Sequence, residues 1–161
     1  MAQKKRMTHL DDAGAARMVD VSAKDRTDRV AVAEGMIRLN REARTALFSR
    51  TTKKGDAIAV ARVAGIMAAK KTSELIPLCH PLAASSITID IEESVRPAGA
   101  KVRASIRVTD RTGAEMEALT AVTVTLLTIY DMLKSIQKDM IIADVRLRRK
   151  SGGRSGDINL P

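Results

Sequence analysis

The chain has 161 residues and 45% hydrophobic side chains, enough for one ordinary domain with a core, which excludes wholesale disorder. Phe48 and Tyr130 are the only aromatics and Trp is absent, so that core must be aliphatic. With 28 basic and 19 acidic residues the net charge is +9, which favours anionic partners such as phosphates, nucleic acid or acidic lipid.

Cys79 is the single cysteine, so no internal disulfide can form, and Cys79 with His9 and His80 cannot complete a closed zinc site. No metal site is expected. The basic start Met1-Ala2-Gln3-Lys4-Lys5-Arg6 is not followed by an apolar run, so it is not a signal peptide. The uncharged stretch Ala118–Tyr130 is too short to span a bilayer. These features predict a soluble, cytoplasmic, single-domain protein over 1–161, with flexible ends at 1–16 and 151–161.

In chain order, Met18–Val21 is a candidate strand and Val30–Leu39 a longer one. Arg41–Arg50 reads as a short helix. Asp56 is placed to cap a helix over Ala57–Leu75 that Pro77 would stop. Its small residues, among them Ala61, Gly65 and Ala68, permit close approach of another helix. Ile87, Ile89 and Ile91 alternate with polar residues, as do Val102, Ala104, Ile106 and Val108, and Arg96-Pro97-Ala98-Gly99 supplies the turn of a hairpin. A second long helix is predicted over Ala114–Gln137, with a stripe of Leu119, Val122, Leu126, Leu133 and Ile136. A last strand places Ile141, Ala143, Val145 and Leu147 on one face and Arg146 and Arg148 on the other. The order β-α-β-β-α-β, after extra N-terminal pieces, predicts an α+β fold of the ferredoxin-like (split βαβ) type: an antiparallel sheet with helices on one face.

The open face of that sheet would show Lys101, Arg103, Arg107, Arg146 and Arg148. An RNA platform stacks bases on strand aromatics, and these strands have none. Pairing with Asp90, Glu92 and Glu93, or contact with another subunit, is the preferred account. Thr112-Gly113-Ala114-Glu115 has the form of a capping box, which gives Glu115 a local task, whereas Glu117 has none. Asp131, Lys134 and Lys138 share a helix face, either as a surface ion-pair ladder or as working groups. Glu117 and Asp131 are 14 residues apart, offset by about 40° around the axis but about 21 Å along it. If both are functional, they serve one site from different subunits, or two sites.

In Ile76-Pro77-Leu78-Cys79-His80-Pro81-Leu82, two prolines fix the backbone around His80, the one histidine outside the N-terminal arm and a natural proton carrier. Cys79 has no second histidine as base and reads as a small buried hydrophobe. Lys54-Gly55-Asp56 sets an ammonium beside a helix start, with Lys70 and Lys71 at the far end. A solvated charged surface is the alternative for each of these.

Together these stretches resemble the MoaC family, the cyclic pyranopterin monophosphate synthases of molybdenum-cofactor biosynthesis. The matching blocks are Met18-Val19-Asp20-Val21-Ser22, Lys54-Gly55-Asp56, Leu75-Ile76-Pro77-Leu78-Cys79-His80-Pro81-Leu82, Thr112–Thr120, Leu127–Met132, Gln137-Lys138-Asp139-Met140 and Lys150-Ser151-Gly152-Gly153. The resemblance implies a lyase that converts 3′,8-cyclo-7,8-dihydro-GTP to cyclic pyranopterin monophosphate and pyrophosphate. It implies a homohexamer, a trimer of dimers, with active sites at subunit interfaces and neither nucleic acid nor membrane as partner. Matched by motif, Asp131, Lys134, Lys54 and His80 are the implied catalytic positions. Leu78, Cys79, His80, Met116, Glu117 and Glu115 are implied to bind substrate, and Lys70, Lys138 and Lys150 to meet its phosphates. No cofactor is implied as required; Mg²⁺ with the triphosphate is compatible with the resemblance. A non-catalytic ferredoxin-like module, binding RNA or sensing a ligand, is the competing class.

Overall fold

The computed structural model describes residues 9–11, 13–49, 55–153 and 156–161. Alternation in the two isoleucine- and valine-rich segments produces the predicted hairpin: β2 (Ala84–Ser94) and β3 (Gly99–Asp110) pair antiparallel with Ile89 opposite Ala104. On β3, Ala100, Val102, Ala104, Ile106 and Val108 are all buried, while Lys101, Arg103 and Arg107 face the other way. The period of two thus divides the sheet into an apolar and a charged side.

β1 (Thr27–Arg38) pairs with β3 on one side and with β4 (Ile141–Ser151) on the other. A two-residue strand, β5 (Ile158–Asn159), adds to the outer edge of β4. The order β2-β3-β1-β4-β5 is antiparallel throughout, the ferredoxin-like arrangement extended by one edge strand. α1 (Arg41–Phe48) follows β1 and is capped by Asn40, whose side chain accepts from Ala43 N–H at 2.8 Å.

The apolar side is covered by α2 (Ala57–Lys70) and α4 (Glu115–Leu133). Asp56 caps α2 as expected, accepting from Ala59 N–H at 3.0 Å. The two helices meet at Gly65, where a Cβ would overlap Thr125 Oγ1 and stand 3.0 Å from the Ala121 carbonyl. With no aromatics available, the interior closes by such short side chains, filled in by Ile37, Leu47, Ile106, Leu126, Ile129 and Leu133. Each fully buried Leu or Ile contributes roughly 1.5–3 kcal/mol. By length and apolarity α4 passes for a membrane span, but half of it is buried in this core.

Four expectations are corrected. Met18–Val21 is not a strand; it runs as irregular chain towards His80. The helix expected to reach Leu75 stops at Lys70, before Pro77. The Thr72 hydroxyl donates to the Ala68 and Ala69 carbonyls, and a separate turn, α3 (Thr72–Leu75), follows. α4 ends at Leu133 rather than Gln137, and the Ile136 N–H turns back to the Leu133 carbonyl in an i→i−3 bond that tightens the chain beyond it. On the charged face, none of the five cations pairs with Asp90, Glu92 or Glu93 among the described residues: Arg107 meets Asp28, and the other four meet buried Glu34 of β1. Lys101, Arg103, Arg146 and Arg148 lie 3.0, 3.5, 3.2 and 3.3 Å from its carboxylate. Two register shifts between β1 and β4 accompany the approach of Arg146 and Arg148 to the same acid.

Candidate active site

The loop between α3 and β2 packs against the start of α4 and leaves a cleft of about 420 Å³. Leu78, Cys79 and His80 form one wall and Gly113, Glu115 and Met116 the other. Cys79 N–H donates to the Ile76 carbonyl at 3.0 Å, closing the turn that Pro77 and Pro81 restrict. His80 Nε2 lies 2.8 Å from the Val19 carbonyl. A carbonyl only accepts, so Nε2 is the donor in this bond. This bond is what the β-branched Met18–Val21 segment does in place of joining the sheet.

Behind the loop, Glu117 is only 3% exposed. Its Oε1 lies 3.6 Å from Cys79 Sγ, and its Oε2 finds no hydrogen-bond partner among the described residues. Burial pushes the Glu117 carboxyl above the ordinary carboxylate range. Burial, and next the charge of Glu117, push the Cys79 thiol up to about 11. The thiol therefore stays protonated at neutral pH and serves Glu117 as a weak donor, not as a nucleophile. An orphaned carboxylate oxygen in so dry a place is costly unless a ligand donates to it.

The capping box does not form. Ala114 is the N-cap, without a side-chain bond, and Glu115 Oε1 instead meets Lys150 Nζ at 3.1 Å. The rim of the cleft thus holds an acid and a base from segments 35 residues apart. Lys70 is exposed in the last turn of α2, whose chain continues through α3 into the cleft loop. His9, Ile76 and Thr112 also line the cleft. In the sequence, His9 lies in the N-terminal arm and Thr112 in a local capping pattern, so no motif points to their lining a site.

The remaining candidates gather at the other end of α4. Asp131 Oδ1 and Lys134 Nζ are 2.6 Å apart with both side chains 57% exposed. The hydrogen bond to Asp131 holds the Lys134 ammonium above its usual range. Exposed pairs of this kind contribute little to stability. Lys138 is exposed in the following turn, and its carbonyl accepts from the Tyr130 hydroxyl at 2.6 Å. Lys54 lies outside the described residues. α4 is continuous from Glu115 to Leu133, so Glu117 and Asp131 stand about 21 Å apart along it. The structure brings Leu78, Cys79, His80, Glu115, Met116, Glu117 and Lys150 together, and separately Asp131, Lys134 and Lys138. Among the described residues no cluster of three His, Cys, Asp or Glu is placed to hold a metal.

Comparison with known proteins gives this arrangement its context. A sequence model described as the MoaC family matches residues 18–153. The cyclic pyranopterin monophosphate synthase of Clostridium botulinum is 57% identical over 152 residues, covering 94% of this chain and 96% of that protein. The enzyme of the same name from Brucella ovis is 53% identical over 152 residues, covering 94% and 92%. One from a Nocardioides strain is 51% identical over 158 residues, covering 98% and 97%. The chain belongs to the MoaC family.

Proposed function

We propose that this chain is a cyclic pyranopterin monophosphate synthase, a lyase of molybdenum-cofactor biosynthesis, whose active site is composed from two protomers. The single observation that carries the two-protomer reading is the separation of the candidate groups to opposite ends of α4. One compact nucleotide cannot touch both ends of one helix. The cleft end of one protomer meets the Asp131 end of another, and the homohexamer, a trimer of dimers, repeats that junction.

In this reading the cleft recognises the purine-derived ring. Glu117 Oε2, buried and without a partner, takes up ring N–H donors, and the Leu78–His80 backbone and Met116 flank the ring. Asp131 and Lys134 act as a general acid–base pair that opens and recloses rings of the skeleton, with His80 as a further proton carrier. Lys54, Lys70, Lys138 and Lys150 hold the triphosphate. A sugar hydroxyl then attacks the α-phosphorus and gives up its proton. The α–β bridging bond breaks, and pyrophosphate leaves with the electron pair. Positioning and charge stabilisation supply most of the second half. No cofactor is part of the reading, and Mg²⁺ with the triphosphate is compatible with it. A cytoplasmic setting suits a GTP-derived substrate.

The test is Asp131→Asn, assayed for pyrophosphate release and sized by light scattering. Loss of product formation with the hexamer intact supports the assignment. Normal turnover by that variant removes Asp131 from the chemistry.

A further inference from the structure

The turn after α4, which presents Lys134 and Lys138, is held by backbone hydrogen bonds and by the side chains of Gln137 and Tyr130. Ile136 and Gln137 N–H groups donate to the Leu133 carbonyl at 2.8 and 3.1 Å. The Gln137 side-chain oxygen accepts from Asn40 N–H at 2.8 Å, at the cap of α1, and its amide donates to Asp139 Oδ1 at 3.0 Å. Tyr130, the only tyrosine in the chain, packs its ring against the core and donates its hydroxyl to the Lys138 carbonyl at 2.6 Å. The anchor therefore runs from the residue next to Asp131 to the backbone of Lys138, with no charged head group used up.

We infer that Tyr130 is a positioning residue for the reaction, its hydroxyl fixing Lys138 at a set distance from the Asp131–Lys134 pair. Rigid aromatic rings with one polar handle suit this task, since two torsions settle where the hydroxyl lies. A lysine has a long flexible stem, so the precision of its ammonium depends on how firmly its own backbone is held. Releasing the Lys138 carbonyl lets that backbone wander and weakens the hold on phosphate while leaving the acid–base pair in place. The inference rests on the assignment of Asp131 and Lys138 to the site proposed above.

A double-mutant cycle on the full-length assembled protein tests it, with Tyr130→Phe, Lys138→Ala and the combination measured for kcat, KM and inhibition by pyrophosphate. Tyr130→Phe is expected to raise KM and the pyrophosphate inhibition constant about three- to tenfold, with kcat nearly unchanged. In the Lys138→Ala background the same change should add less than about twofold, because partners acting through one another are not additive. Equal losses in both backgrounds overturn the inference, as does a Tyr130→Phe enzyme that melts earlier but keeps its KM and inhibition constant. If Tyr130→Phe is neutral while Lys138→Ala is impaired, the inference alone falls. If Lys138→Ala is itself fully active, the placement of Lys138 in the site falls with it.

Discussion

At the start of α4, Glu117 is buried, touches a thiol and leaves one oxygen without a partner; about four turns later, Asp131 stands in solvent against Lys134. One side chain is kept dry, which raises its carboxyl above the ordinary range, and the other keeps a cation beside it. Burial suits recognition, because an unsatisfied carboxylate oxygen penalises any ligand that fails to donate to it. Exposure suits proton handling only once a second surface closes over it and excludes water. In the two-protomer reading proposed above, neither end is an active site by itself.

The strongest way to break the comparison is to remove the exposed acid. Asp131→Asn should lower pyrophosphate release by about 10²–10⁴-fold, the usual range for a general acid–base group. Its melting temperature by calorimetry should scarcely move. The next test asks whether the two ends meet across protomers. Asp131→Asn and Glu117→Ala chains, each inactive, should regain about a quarter of wild-type activity when co-assembled at random, because one junction in four then carries both intact ends. No recovery would mean that the two ends do not complement one another across protomers.

Between the ends, Gly65→Ala serves as the control. The added methyl meets Thr125 and the Ala121 backbone, so denaturant midpoints should fall by an equivalent of about 1–3 kcal/mol without favouring either end.

The smallest effect sharpens the contrast through pH. Glu117 has a folded pKa above its ordinary 4.5, so the folded chain keeps a proton the unfolded chain releases. Stability should therefore decline as pH rises from about 4.5 through the raised value, then level off. Glu117→Gln removes that decline, and calorimetry should find its advantage over wild type larger at pH 8 than at pH 4.

Much of this could be read from the chain. The alternations at Ile87–Ile91 and Val102–Val108, the Asp56 cap and the order of elements give the sheet and its helices, and 14 residues of helix give the separation of the two acids. What escaped depends on distant partners. Thr112-Gly113-Ala114-Glu115 has every local feature of a capping box, but Lys150, from β4, engages Glu115 instead. Met18–Val21 has strand-like residues, yet the His80 ring engages the Val19 carbonyl. Glu34 sits unremarked in a strand because nothing local reveals that cations from two neighbouring strands converge on it. For the site, residue types were legible by motif, whereas the sulfur–carboxylate contact and the orphaned oxygen arise only from packing.

That convergence on Glu34 also bears on how the molecule comes apart in acid. Burial alone would raise its carboxyl, but contacts with Lys101 and Arg146 outweigh that and hold it below the ordinary 4.5. Its contribution is thus present above that value and drains away as pH drops through the lower one. Once Glu34 is neutral, the cations of β3 and β4 repel one another across β1 with nothing between them. Amide exchange at a pH low enough to neutralise Glu34, below the ordinary carboxylate value of 4.5, should accordingly loosen first in the middle of the sheet, while α2 and α4 remain protected.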